Sequence, residues 1–309
     1  MYFLSSEERQ FLLKGLLPKT REMNVVDELR GWNWNRPPLA PVYDLKLPLY
    51  EIAGKYCPAG KDVYLKRVMG MSGNLNFLMI QGIVLHDVMV EIMTKAKKLI
   101  YTMGVSNYIS IFSELSNNTY EIPGKYVKLL DNNLELLQKR VTFLWEFEAR
   151  NITARIQEVL SHQPYIGEDS LAYHALPVIM EQKLDGSFLG MSHYLSSDAF
   201  IFSEPMILDL KFDIKRDFHR LTTTGYAMVI ESLYEYPVNI GCLIYPQFNE
   251  DGRITLKKDF HFINEELRQW FIEERDEKMR MVFEEIDPGK PEKCYENCQY
   301  LEECNEAGK

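Results

Sequence analysis

Two carboxylates and a lysine stand out in the sequence: Asp198, then Asp209 and Lys211 in the triplet Asp209-Leu210-Lys211. Asp198 opens the strand-like run DAFIF, and the triplet closes the apolar run of PMILDLKFD. Adjacent strands bring such residues to one sheet end, and period-two alternation sets Lys211 on the face of Asp209. Carboxylate oxygens hold Mg²⁺ or Mn²⁺, an ion that polarises a phosphate and acidifies a water, while a lysine steadies the developing charge. The chemistry that fits is metal-dependent phosphodiester hydrolysis, with the Leu210 carbonyl as an additional ligand. Alone, Asp-x-Lys is a common pattern and more often a solvated strand face.

Other elements fall in a supporting order. Upstream, Gly82-x-x-x-His86 lies inside a long amphipathic pattern, which offers a helical histidine to the metal. Downstream, Lys215, Arg216, His219 and Arg220 form a local basic cluster suited to a phosphate backbone. They lead into a helix carrying Thr222 and Tyr226. A serine hydrolase built on Ser192-His193 is discounted, because adjacent strand residues face opposite ways and no Gly-x-Ser-x-Gly elbow exists.

The five cysteines are an odd number in a chain whose opening, MYFLSSEERQ, carries no export signal, so metal binding is favoured over disulfides. Cys57 stands far from Cys294, Cys298 and Cys304. Four thiolates suit tetrahedral zinc or a [4Fe–4S] cluster, and spacing alone does not choose between them. Cys242, within VNIGCLIYP, reads as a buried structural residue outside the set.

The elements that must position these groups follow from periodicity. A helix is expected over 6–17, then an extended aromatic and proline-rich arm containing Trp32 and Trp34. Such tryptophans more often pin an arm to a domain than stack on bases. Long helices are expected over 77–101 and 126–160, with a loop over 106–124. From residue 176 onward three strand-like runs form a meander, followed by a helix over 218–234, a strand over 238–245 and a turn at 249–252. Another strand and an acidic, solvated helix over 266–287 complete the order, which suits an α/β fold with a mixed sheet. The 309 residues, 46% apolar and 26% charged, suit a soluble, cytoplasmic globular protein. The charges interrupting 77–103 argue against a membrane span. A net charge of −10 opposes non-specific nucleic-acid binding but leaves room for a local basic channel.

The ordered set resembles the RecB-like branch of the PD-(D/E)xK nucleases, whose motifs run helical His, strand Asp, Glu/Asp-x-Lys strand, then a Gln-x-x-x-Tyr helix. The resemblance implies His86, Asp198 and Asp209 as metal ligands, Lys211 as the catalytic lysine and Tyr226 as the helix tyrosine. Asp209 stands where Glu is usual, and Thr222 stands where the glutamine is expected, so that role is not carried over. The one-plus-three cysteines resemble those of iron–sulfur nucleases, among them the CRISPR-associated RecB-like exonucleases and especially their archaeal Csa-type branch. The likeness runs from the tryptophan-proline arm and YCPAGKDVYLKRV through LDGSFLGMSHYLSSDAF to GYAMVIESLYEYPVNIGCLIYP.

It implies a restriction-endonuclease-like (RecB-like) mixed central sheet flanked by helices, with a helical N-terminal region and a C-terminal iron–sulfur segment. The corresponding division is an arm (1–70), a helical region (71–165), a nuclease core (166–286) and a cysteine tail (287–309). It further implies a [4Fe–4S] cluster on Cys57, Cys294, Cys298 and Cys304, DNA as substrate, and integrase subunits of the CRISPR adaptation complex as partners. The expected activity is an exodeoxyribonuclease serving spacer acquisition. A catalytically weak iron–sulfur DNA-binding scaffold is the alternative. Asp209 and Thr222 favour the scaffold, whereas His86, Asp198 and Lys211 favour the enzyme.

Overall fold

Apolar residues at three- and four-residue spacing bury one stripe on each of the long helices, and alternation along the strands buries both faces of one sheet. The computed structural model describes residues 1–117, 119–130, 133–249 and 251–306. Its helices are α1 (Ser6–Phe11), α2 (Leu17–Glu22), α3 (Leu49–Ala53), α4 (Lys61–Arg67), α5 (Phe77–Met103) and α6 (Tyr108–Ser116). They continue with α7 (Gly124–Leu130), α8 (Leu134–His162), α9 (Glu168–Ala175), α10 (Arg220–Tyr234), α11 (Glu265–Phe283) and α12 (Leu301–Glu306). The strands are β1 (Ile179–Leu184), β2 (Leu195–Ile201), β3 (Met206–Leu210), β4 (Ile240–Phe248) and β5 (Ile254–Phe262).

The strands form one sheet in the order β1-β2-β3-β4-β5. β3 and β4 run parallel and every other pair is antiparallel. A parallel pair needs a crossover, and α10 supplies it. Successive residues of β2 and β3 serve opposite cores. Ala199, Ile201, Met206 and Leu208 pack with α5 and α8, while Phe200 and Ile207 pack with α10 and α11. The protein is thus an α/β sandwich with a five-stranded mixed sheet between helices.

α5 is long and apolar enough to cross a membrane, yet its stripe of Ile80, Val84, Val88, Ile92 and Ala96 is fully buried against the sheet and α8. The Asn76 side chain caps it, accepting a 3.0 Å bond from the Met79 amide. The arm is pinned as expected, with Trp34 stacked on Phe188 at 4.3 Å.

Several expectations are corrected. The first helical stretch reaches Glu22 through a π-helical turn at Leu12–Leu16. The expected 106–124 loop contains α6, whose Ile111 and Leu115 are buried in the α5–α8 core. Of the helix expected over 126–160, the described residues form α7 and α8, Asp131 and Asn132 lying outside them, and α9 is an additional helix. Within the expected loops, Asn118 and Glu250 lie outside the described residues. Asp198 sits in the middle of β2 rather than at its start. α11 is not simply a solvated face, because it buries Arg268 and Arg275 completely and Lys278 nearly so.

Candidate active site

Register places the two central aspartates together. Ala199 pairs with Leu208 across β2 and β3, so Asp198 and Asp209 are neighbours on one face. The Leu210 amide donates to Asp198 Oδ2 at 2.9 Å, which fixes that carboxylate at the end of β3. Lys211, the next residue after the strand, returns its Nζ to Asp209 Oδ2 at 2.9 Å. From the other side, α5 brings His86 Nε2 within 3.2 Å of Asp198 Oδ1. Residues from three elements, far apart in sequence, therefore meet at one sheet end.

The electrostatics of the group reflect burial offset by opposite charge. Burial opposes a charge on His86, but the Asp198 carboxylate outweighs it and pushes the imidazole up to about 9. Burial raises Asp198, yet His86 and then Lys211 hold it below the usual carboxylate value. Asp209 is pushed up to about 6, by burial and by the charge of Asp198, against the pull of Lys211. Burial alone would lower Lys211, and Asp209 with Asp198 keeps its ammonium charged above the ordinary range.

Two carboxylates and an imidazole are donors of the kind a hard cation takes, and two atoms of the group lack a hydrogen-bond partner. His86 Nε2 and Asp209 Oδ2 are both buried without a well-directed hydrogen bond, despite the short distances to their charged neighbours. Buried polar atoms of this sort call for a partner. Among the described residues, no three His, Cys, Asp or Glu side chains are drawn into a ready chelate, since the carboxylates are engaged with His86 and Lys211. A cleft of about 370 Å³ opens on Asp198, Asp209, Lys211, Thr222 and Tyr226. Tyr226 points there from α10 and donates its hydroxyl to the Ser196 carbonyl, with burial raising its pKa.

The expected basic cluster is not an open patch. Lys215 pairs with Asp259 at 3.1 Å, and Arg220 grips the same carboxylate through two bonds of 3.0 Å. Arg216 lies 3.5 Å from Asp213 and over the rings of Tyr56 and Tyr295. His219 is buried between the hydroxyls of Tyr56 and Tyr245, and burial, followed by the charge of Lys211, pushes it down to about 4. It is neutral at pH 7 and offers no charge to a phosphate. Ser192 forms no pair with His193, whose Nδ1 instead meets Ser187 Oγ at 2.6 Å in an exposed turn.

Cys57, Cys294, Cys298 and Cys304 line one pocket, all as free thiols. Burial raises the Cys298 and Cys304 thiols, and each feels other members of the set. The tail is held against the early segment independently, through the Asn74 amide to the Gln299 carbonyl (3.2 Å) and the Asn76 side chain to the Asn297 carbonyl (2.8 Å). The four sulfurs are donors of the soft kind that zinc or an iron–sulfur cluster takes, although among the described residues they are not drawn together into a ready chelate. Cys242 is fully buried in β4, apart from them.

Two groups at the site were not singled out from sequence. Glu181 on β1 lies opposite Asp198 and brings Oε1 to 3.9 Å from His86 Nδ1. Tyr2 is buried nearby with an unpartnered hydroxyl and feels Asp198 and Asp209. The alternation of LPVIMEQKL marks Glu181 as a strand residue, but its partner depends on the register across a long connection.

The family described as CRISPR-associated exonuclease Csa1 matches residues 1–307. A relative with that name from Saccharolobus solfataricus is 30% identical over 308 residues, covering 99% of this chain and all of the relative. Another, from Thermoproteus tenax, is 27% identical over 280 residues, 91% of each chain. No solved structure matches. With agreement across nearly its whole length, the chain belongs to the Csa1 family of CRISPR-associated exonucleases.

Proposed function

We propose that this exonuclease is a divalent-cation-dependent deoxyribonuclease of the RecB-like type, trimming DNA for spacer acquisition beside the CRISPR integrase subunits. The observation that carries the reading is the meeting of His86, Asp198, Asp209 and Lys211 at one sheet end. His86, once its Nε2 has given up its proton to solvent, would hold Mg²⁺ or Mn²⁺ together with Asp198 and Asp209, with the Leu210 carbonyl beside them. When bound, such an ion polarises a phosphate and lowers the pKa of a water. Asp198 is oriented by the Leu210 amide, so its carboxylate does not need to be organised during turnover. Lys211 stays charged beside Asp209 and would steady negative charge growing on a phosphate held there. Tyr226 and Thr222 form the cleft wall from α10, where a strand would lie. DNA contact by Lys215, Arg216 and Arg220 would require exchange of their carboxylate partners for phosphate.

The four cysteines would carry a [4Fe–4S] cluster that clasps residue 57 to the tail. Its role is structural, because hydrolysis gains nothing from electron transfer. Anaerobically purified protein should be brown, and should shorten linear DNA only when Mn²⁺ or Mg²⁺ is added. Colourless protein containing stoichiometric zinc would replace the cluster assignment. Undiminished cleavage in excess chelator would remove the metal reading.

A further inference from the structure

Three described residues other than glycine have positive φ: Glu181, Glu235 and Glu285. Glu235 and Glu285 follow the ends of α10 and α11, where left-handed backbone commonly terminates a helix. Glu181 is different. It lies inside β1 at φ 48°, and the ladder between β1 and β2 skips it, pairing Met180 with Ala199 and Gln182 with Ser197. The residue it should face is Asp198. A strained backbone inside a strand persists only where the surroundings impose it, and such strain gathers at functional sites.

The side chain shows what the distortion achieves. Glu181 Oε1 approaches His86 Nδ1 at 3.9 Å while His86 Nε2 faces Asp198 at 3.2 Å, so the imidazole is bracketed by two carboxylates. The other contact of Glu181, with Lys183 at 3.3 Å, is on an exposed lysine and holds it only weakly. A histidine that ligates a metal through one nitrogen is commonly oriented by a carboxylate on the other. We propose that Glu181 is a positioning residue of the active site, which holds His86 from its Nδ1 side so that Nε2 is presented toward the cation-binding carboxylates. This rests on the reading of His86 as a cation ligand.

The experiment is Mn²⁺ binding to full-length protein, followed by electron paramagnetic resonance. It uses wild type, Glu181→Gln, Glu181→Asp, His86→Ala, and the His86→Ala/Glu181→Gln double variant. Removing an outer carboxylate of this kind typically weakens metal binding about 10–100-fold. The expected result is a loss on that scale in Glu181→Gln, partial recovery in Glu181→Asp, and no added loss in the double variant over His86→Ala. Glu181→Gly should weaken Mn²⁺ similarly while raising the melting temperature, because glycine adopts positive φ without strain. A purely structural glutamate would not separate the two readouts in that way. Wild-type affinity in Glu181→Gln would overturn the proposal. Absence of Mn²⁺ binding by wild type would instead overturn the cation reading on which it rests.

Discussion

Glu231→Gln should destabilise the protein by about 3–5 kcal/mol, the usual cost of breaking a buried ion pair by removing one partner. Glu231 lies in α10 with no exposure and accepts five bonds on two oxygens. Arg268 of α11 supplies two, at 2.7 and 2.9 Å, and Arg30 of the arm one at 2.9 Å. The Gly31 and Val238 amides supply the others, at 2.9 and 3.0 Å. The carboxylate therefore joins the arm, α10, α11 and the approach to β4. Burial disfavours its charge, and Arg268 followed by Arg30 more than compensates, lowering its pKa. Glutamine is nearly isosteric but turns a donor toward donors and leaves two buried guanidiniums, Arg30 at 4% and Arg268 at 0% exposure, without a counter-charge. At about 2 °C per kcal/mol for a large domain, the melting temperature should fall by roughly 6–10 °C. Urea unfolding of both proteins under identical buffer measures the difference. A loss under about 1 kcal/mol would show that the network contributes little beyond what solvent could replace.

Lys211→Ala should retain Mn²⁺ binding but lose cleavage by roughly a hundredfold, the scale for a charge-stabilising group; a matching fall in affinity would make Lys211 a structural partner of Asp209. Cys298→Ala should be colourless, poorly soluble and readily proteolysed, whereas Cys242→Ala should remain brown and stable; full stability of Cys298→Ala removes the clasp. His219 and His261 are both depressed to about 4, each chiefly by burial. The folded state thus keeps them neutral while the unfolded chain protonates them near 6.5. Their contribution to stability is complete above about pH 6.5 and is lost as the pH falls toward 4. Urea midpoints should drop across that window, and by less in a His219→Gln/His261→Gln variant.

The parts of the fold that were legible in sequence are those set by local pattern. Ile80, Val84, Val88 and Ile92 announce α5, and the runs around Asp198 and Asp209 announce β2 and β3. His86, Asp198, Asp209 and Lys211 are brought together because motif order and strand pairing agree. Long-range charge pairing was not legible. Arg220 reads as a DNA contact until Asp259, from β5, is seen to grip it. Arg268 reads as a surface charge until Glu231 is found buried against it. α6 was hidden because the turn-forming residues that follow it resemble a loop, while only Ile111 and Leu115 of its apolar residues are buried. The place of Glu181 at the site is not legible in the sequence, for a geometric reason. Residues 185–194 separate β1 from β2, too long a connection to fix which residue faces Asp198.

On the proposed reading, cleavage takes place where β2, β3 and α5 meet. Its most direct test is degradation of a labelled linear DNA in Mn²⁺ by wild type and by an Asp198→Ala/Asp209→Ala variant, each first shown to have the same circular dichroism and visible absorbance. On the proposed reading, loss of both carboxylates would remove the ligands for the ion and with them the activated water. Wild type should yield product and the variant none. Wild-type rates from the folded double variant would place the chemistry elsewhere in the protein.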